Sequence, residues 1–303
     1  PIKRGVRQGC VLSPKLFNLY TEKIFNESDE LPGCVVGGEN LNNLRYADDT
    51  ALLAESESAL QDIVDVVRQN SEEKGLSMNV KKTKTMVVCR DETPDVRIVI
   101  NGQVLEQVKK FKYLGQWITD DGRCECEIKN RIEIARSTFI KMRDVLISRK
   151  LHLEIRKRLV RCYVLSTFLY ASESWTLDRQ IEDKINAFEM WIFRRMFRIS
   201  HLDRKTNLEV LEMAKAKQTL LRTIQERKLQ YFGHLIRGKG KQKLLMEGKI
   251  EGTRRKGKQR RTWTSDVTGW CGSSYTKCVR MAENRKEWSS MTADLLIRRW
   301  HPQ

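Results

Sequence analysis

A chain of 303 residues and 35.5 kDa, 40% of it apolar, is long enough for one large globular unit or two to three small ones. Its 57 Lys and Arg against 39 Asp and Glu leave a formal charge of +18 and a pI near 9.6, which points to a polyanionic partner rather than a cationic substrate. A mean hydropathy of -0.54, with no apolar run approaching ~18 residues, excludes an ordinary transmembrane span and gives no reason to expect a membrane partner.

The positive excess lies entirely toward the C-terminus. Residues 1–121 hold 16 basic and 19 acidic residues, a net of -3, so the remainder carries +21. The pattern suits an N-terminal unit with a carboxylate-dependent task, followed by units that grip a phosphate backbone; a solvated basic surface with no ligand is the competing reading. Pro1-Ile2-Lys3-Arg4 opens without Met or an apolar signal, and reads as a cut through a longer frame.

In chain order, Leu16, Phe17, Leu19, Tyr20, Ile24 and Phe25 recur at helical spacing after Ser13-Pro14. Leu44–Ala47 and Thr50–Ala54 read as two strands separated by Asp48-Asp49, a hairpin with two carboxylates at its tip. Ala59, Ile63, Val66 and Val67 form one face of a helix ending near Gly75, and Thr85–Cys89 returns as a strand. Val96–Ile100 and Val104–Leu105 flank Asn101-Gly102 as a further hairpin, with Phe111–Gly115 close behind. This part reads as α+β built on antiparallel strands.

From about residue 123 the period becomes helical. Ile128, Ile132, Ala135, Phe139, Met142 and Leu146 form one stripe, Leu159, Tyr163, Ser166 and Tyr170 a second, and Ile181, Ile185, Phe188, Ile192, Met196 and Ile199 a third. Trp175, Phe188, Trp191 and Phe193 fall at positions expected for core. A fourth helical region runs from Leu208 to Phe232 and ends at Gly233. A flexible, phosphate-seeking linker is expected near 238–261, and a small basic helical tail from Trp263 to Trp300.

Eight cysteines are scattered without a disulfide spacing and are expected reduced. Cys124-x-Cys126 is too tight for a zinc knuckle, and Cys271 with Cys278 has only the distant His301 as a third donor, so a metal there is the weaker reading. The four histidines lie far apart and no Gly-x-Ser-x-Gly accompanies them, which leaves a hydrolase triad unsupported.

Two adjacent acids repel unless a cation neutralises them. A divalent ion held by one or two carboxylates and by substrate phosphates is the arrangement that drives phosphoryl transfer, so Asp48 and Asp49 are candidate ligands; a plain surface turn is the bland alternative. The surroundings favour the first. Tyr46-Ala47-Asp48-Asp49 between strands resembles the active-site hairpin of reverse transcriptases. Upstream, residues 5–18 (GVRQGCVLSPKLFN) look like the Gln-Gly and Ser-Pro motif of the polymerase palm. Downstream, residues 75–86 (GLSMNVKKTKTM) resemble the next palm motif, and Phe111-Lys-Tyr-Leu-Gly115 the primer-grip hairpin. The ordered series is similar to the reverse transcriptase of non-LTR, LINE-like retrotransposons, most densely over residues 1–120. The helices and Tyr231-Phe-Gly-His234 continue the likeness, more loosely, to about 270.

That resemblance implies a partial palm over 1–121, a helical thumb over 122–203 and a basic helical C-terminal region over 204–303. It implies an RNA-directed DNA polymerase that adds deoxynucleotides to a primer 3′-hydroxyl by a two-metal, Mg²⁺-dependent mechanism. Asp48 and Asp49 would hold the metal, and Lys82 would assist the leaving pyrophosphate. Gln8, Gly9 and Tyr46 would face nucleotide and template; Phe111, Tyr113, Leu114 and Gly115 would hold the primer. Arg254, Arg255, Lys256, Lys258, Arg260 and Arg261 would contact nucleic-acid backbone. The implied partners are an RNA template with a DNA primer or an RNA:DNA hybrid, and deoxynucleoside triphosphates, with nuclear action. The second catalytic carboxylate of the family precedes the Gln-Gly motif, and Asp29, in a polar Glu-Ser-Asp-Glu turn, lacks its context. The isolated chain is therefore expected to bind nucleic acid without extending a primer. A non-catalytic nucleic-acid-binding remnant or host-adopted fragment is the alternative.

Overall fold

The computed structural model describes residues 5–7, 9–89, 93–216, 219–248, 257 and 260–300, with side chains as far as residue 295. The chain is mixed α+β and 57% helical. It divides into two units, residues 1–122 with 244–255 and residues 123–243 with 256–303.

In the first unit, helix α1 (Ser13–Phe25) opens with Pro14 in its first turn, where a missing N–H costs nothing. Only its last turn enters the core through Ile24 and Phe25; Leu16, Leu19 and Tyr20 are exposed. A 3₁₀ turn (Ser28–Glu30) leads to hairpin β1 (Cys34–Val36) and β2 (Glu39–Leu41), which the sequence reading did not anticipate. Strands β3 (Asn43–Tyr46) and β4 (Asp49–Leu52) follow as an antiparallel pair. Helix α2 (Glu57–Glu73) is capped by the Ser56 hydroxyl, which accepts from the Ala59 N–H at 3.2 Å, and stops before Gly75 at φ +75°. It packs Ile63 and Val67 on Ile24 and Phe25, and Val64 on Ile98, Ile100 and Leu105, with Leu52 touching both clusters. The Asn70 amide donates to the Ile24 carbonyl at 3.0 Å and fixes α2 to the end of α1.

The expected strand over Thr85–Cys89 shrinks to β5 (Lys84–Thr85). After β6 (Val99–Ile100) and β7 (Gln103–Val104), strand β8 (Glu106–Gln107) pairs with β5 in parallel, so this ladder departs from the antiparallel expectation. Because β8 is two residues long, it offers partners to Lys84 and Thr85 alone. The Asn101-Gly102 turn joins β6 and β7 as expected, both residues at positive φ. A last hairpin, β9 (Lys110–Tyr113) with β10 (Gln116–Thr119), closes the unit.

The second unit is helical: α3 (Glu125–Lys141), α4 (Arg143–Leu146), α5 (Leu153–Leu159), a π-helical segment (Val160–Leu165) and α6 (Ser166–Phe168). Then come α7 (Arg179–Phe197), α8 (Asn207–Met213) and α9 (Leu220–Arg237), then α10 (Lys241–Glu247), whose residues from Leu244 onward belong to the first unit, and finally α11 (Trp263–Cys271), α12 (Tyr275–Glu283) and α13 (Arg285–Trp300). The α3 stripe and the α7 stripe are buried as their spacing predicts. Phe168 sits 5.4 Å from Trp175 and 5.1 Å from Phe188, centroid to centroid, in an edge-and-tilt cluster that completes this core.

Three expectations are corrected here. Tyr163 and Tyr170 are exposed, and Val160, Val164 and Phe168 take the interior instead, because the π-helical turn changes the phase. The helical region expected from Leu208 to Phe232 consists of two helices, α8 and α9, and does not end at Gly233, since α9 passes through it to Arg237. Within the expected flexible linker, Lys241–Glu247 is helical; the segment from Trp263 to Trp300 is helical as expected, with Trp270 and Trp288 buried. The carboxylate of Glu189 on α7 accepts from the Thr219 and Leu220 N–H groups at 2.9 and 3.1 Å, capping α9 from another helix. Burial raises the Glu189 carboxyl above its ordinary range, against the pull of those N–H groups.

Candidate active site

The carboxylate hairpin is anchored at its base by asparagines that sequence reasoning missed. The Asn42 amide donates to the carbonyls of Ser28 and Leu31, the second at 2.9 Å, and Asn43 donates to the Asp29 carboxylate at 2.8 Å. Leu53 N–H donates to the Asn42 carbonyl at 2.7 Å, extending the ladder by one rung. Two consecutive Asn entering a strand run against β propensity, and that conflict was the available signal. Next to them, the Arg45 guanidinium lies 4.8 Å from the Phe25 ring centre, which ties β3 to the end of α1.

Register fixes where the acids stand. Tyr46 pairs with Asp49, so the two-residue turn is Ala47-Asp48 and not Asp48-Asp49. Asp48 occupies the turn, Asp49 is the first residue of β4, and both are exposed, as is Tyr46 at 66%. Ala47 supplies the tight bend at φ +53°.

The structure brings a second hairpin against this one. The Tyr113 hydroxyl, at the end of β9, donates to the Leu44 carbonyl of β3 at 3.4 Å. Burial, with the Asp49 charge adding to it, pushes the Tyr113 phenol above its usual range. Tyr113 thus holds its proton and stands within electrostatic reach of Asp49. Leu114 and Gly115 form the β9–β10 turn at φ +47° and +80°, and Phe111 pairs with Ile118 behind it. Two independently recognised motifs, 65 residues apart, therefore meet at one place.

Residues 1–118 match the family model for reverse transcriptase (RNA-dependent DNA polymerase). The chain is 31% identical over 145 residues to a Pol polyprotein from the type-1 retrotransposable element R2 of Nasonia vitripennis, and 25% identical over 203 residues to the RNA-directed DNA polymerase of the mobile element jockey of Drosophila funebris. Over residues 1–118 the chain is thus similar to reverse transcriptases, those of retrotransposable elements among them. These matches take in 45% and 64% of the chain but 14% and 22% of those relatives. A transposon-derived protein of Caenorhabditis elegans is 28% identical over 273 residues, spanning 84% of the chain and 95% of the relative.

The remaining residues marked by the reverse transcriptase resemblance are placed less closely. Gly9 is exposed at φ +85° in the loop before α1, where the Ser13 hydroxyl donates to the Arg7 carbonyl at 2.6 Å; Gln8 lies outside the described residues. Lys82 stands exposed on a turn closed by its own N–H to the Asn79 carbonyl at 3.0 Å, and its ammonium makes no ion pair among the described residues. Arg254, Arg255, Lys256 and Lys258 also lie outside the described residues. Arg260 is exposed, whereas the Arg261 guanidinium is paired with the buried Asp266 carboxylate.

Among the described residues no three or more His, Cys, Asp or Glu side chains converge as a metal site. Reverse transcriptases depend on a divalent metal, and the adjacent Asp48 and Asp49 offer the hard oxygen donors such an ion takes. Cys271 and Cys278 share a hydrogen bond, and burial pushes the Cys271 thiol up to about 12.

Proposed function

We propose that this chain forms part of the palm, the thumb and a basic C-terminal region of a non-LTR retrotransposon polymerase that copies RNA into DNA in the nucleus. One observation carries the reading: Tyr113 of the primer-grip hairpin lies against β3 and faces Asp49 of the carboxylate hairpin. A primer end held by Phe111, Tyr113, Leu114 and Gly115 is thereby delivered to the two acids, without either hairpin having to move.

In this reading Asp48 and Asp49 hold Mg²⁺, which when bound neutralises charge at the reacting phosphate. Gly9, lacking a Cβ, lets backbone approach the template or nucleotide, with Gln8 and Tyr46 supplying contacts beside it. Lys82 meets the departing pyrophosphate with a mobile ammonium, while the basic residues Arg254, Arg255, Lys256, Lys258, Arg260 and Arg261 lie along the nucleic-acid backbone. The substrates are deoxynucleoside triphosphates and a primer paired to RNA. A non-catalytic nucleic-acid-binding remnant is the second reading, favoured by the lack of a third converging carboxylate among the described residues.

The test joins the chain to the upstream part of an R2-type polymerase and follows primer extension with Mg²⁺, alongside binding of an RNA:DNA hybrid by the chain alone. Expected are hybrid binding without extension for the chain alone, extension by the joined protein, and loss of that extension in Asp48→Ala. Full extension by the Asp48→Ala protein, or no hybrid binding by the chain at moderate salt, overturns the reading.

A further inference from the structure

Among the described residues β3 and β4 pair only with each other, so the ribbon that carries Asp48 and Asp49 has two short strands and no third to stiffen it. Its tip, the Tyr46–Asp49 pair, stands three rungs from the Asn43–Leu52 pair at the base, about 10 Å away at about 3.3 Å per residue. A tilt of about 5° at that base shifts the tip by about 1 Å, and a displacement of that size at a reacting centre costs up to about 100-fold in rate. Whatever fixes the base therefore sets where the acids stand.

The base is fixed by a relay of side chains. The Asn42 amide donates to the Ser28 and Leu31 carbonyls, and its Oδ1 accepts from the Asn43 amide at 2.7 Å. Asn43 also donates to Asp29 Oδ1 at 2.8 Å, so both N–H groups of its amide are engaged. Asn40, on β2, braces the same loop by donating to the Leu31 carbonyl and accepting from the Gly33 N–H, each at 2.7 Å. The Ser28 hydroxyl seats that loop on the end of α1 by donating to the Phe25 carbonyl at 2.8 Å. Asn42 and Asn43 are buried, so a partner lost to either leaves a buried polar group unsatisfied. Asp29 is the member of the relay that reaches solvent. In a chain with 57 Lys and Arg it enters no ion pair among the described residues, and its carboxylate is turned to a neutral amide instead.

We infer that Asp29 is a positioning residue: by orienting the Asn43 amide it holds the base of β3, and with it the placing of Asp48 and Asp49. Its effect on catalysis rests on the polymerase reading above; the relay itself does not.

The test compares Asp29→Ala with Asp29→Asn, which keeps an acceptor oxygen, in two settings. In the chain alone, hydrogen exchange of the β3 and β4 amides is expected to quicken about tenfold in Asp29→Ala and to match the parent in Asp29→Asn. The side chain is exposed, so both variants are expected to melt with the parent. In the chain joined to the upstream part of an R2-type polymerase, kcat for primer extension is expected to fall about tenfold in Asp29→Ala, with KM for the deoxynucleoside triphosphate unchanged. The Mg²⁺ concentration giving half the maximal rate is expected to rise with that fall, and Asp29→Asn to restore most of the rate. Unchanged exchange, or an unchanged kcat, in Asp29→Ala overturns the inference and leaves the polymerase reading intact. A kcat that falls with the melting temperature while the Mg²⁺ dependence stays put assigns a purely structural role, and overturns it too. Asp29→Asn as slow as Asp29→Ala means that the charge acts, as a metal ligand's would, with the same consequence. A joined parent that extends no primer overturns both readings.

Discussion

Ala47 bends the carboxylate hairpin at φ +53°, a conformation that sets an L-residue's Cβ against its own backbone at a cost of about 1–2 kcal/mol. The three other two-residue turns of the unit, Gly37-Gly38, Asn101-Gly102 and Leu114-Gly115, place glycine second and relieve that clash at one or both of their positions. Ala47-Asp48 has no glycine, so the strain is concentrated where the acid must be presented. Strained backbone persists where its surroundings over-determine it, and here the Asn42 and Asn43 anchors and the Tyr46–Asp49 pair do so. Ala47→Gly is expected to stabilise the chain by about 1 kcal/mol, somewhat less if glycine's freedom in the unfolded chain offsets the gain. Urea unfolding followed by circular dichroism measures this, and a loss of stability would show that the methyl group contributes packing that outweighs the strain.

Gly233 shows at the level of an element what a sequence can and cannot convey. Read locally, a glycine after an apolar helical run is a stop signal, yet α9 continues four residues beyond it. Its reason for being glycine lies 55 residues away: a Cβ there would meet Trp288 Cδ1 at 2.6 Å and Nε1 at 2.7 Å, while that indole donates to the Leu229 carbonyl at 2.9 Å. Gly233→Ala is therefore expected to cost about 1–3 kcal/mol through displacement of the indole, although alanine is the better helix former. A lowered melting temperature with reduced near-ultraviolet Trp signal is the expected readout; a stabilised protein would mean that Trp288 does not pack on α9. The same divide runs through the rest of the fold. Elements specified by neighbours in sequence were legible: α2 from its apolar spacing and Gly75, the Asn-Gly hairpin, and the buried faces of α3 and α7. Those specified by distant partners were not: the phase of the π-helical turn, the break between α8 and α9, and the parallel rung of β5 on β8. In the candidate site Asp48, Asp49 and the Phe111–Gly115 segment could be picked out directly. Their meeting at Tyr113, and the asparagines beneath the hairpin, depend on pairings that no local pattern encodes.

At the scale of the molecule, residues 1–121, with a net of -3, carry the acids, and the helical unit must hold together despite most of the +21 borne by the rest of the chain. One device in that unit is the fully buried Lys228 of α9, which donates to the Asp266 carboxylate of α11 and to the Trp175 carbonyl at 2.7 Å. Asp266 also accepts from the Leu177 N–H at 2.8 Å and pairs with Arg261, while Trp263 and Trp270 lie 4.8 and 5.5 Å from the Lys228 ammonium. One carboxylate thus gathers segments separated by up to 89 residues. Burial is the largest influence on Lys228 and lowers it from 10.5 to about 8, with Asp266 pulling the other way. Because the folded value lies below the unfolded one, the unfolded chain binds more protons between about pH 8 and 10.5, and the lysine's contribution to stability rises with pH across that window. Other groups titrate there too, since burial raises the Tyr231 phenol and the Cys124 thiol. The informative quantity is therefore the difference in unfolding free energy between the parent and Lys228→Met, which cancels the contribution of Tyr231 and retains only Lys228 and the Cys124 thiol that interacts with it. That difference is expected to move in the parent's favour by up to about 3 kcal/mol from pH 8 to 10.5. A flat or opposite trend in urea unfolding would mean that Asp266 outweighs burial, and that the pair keeps the lysine charged as firmly as water does.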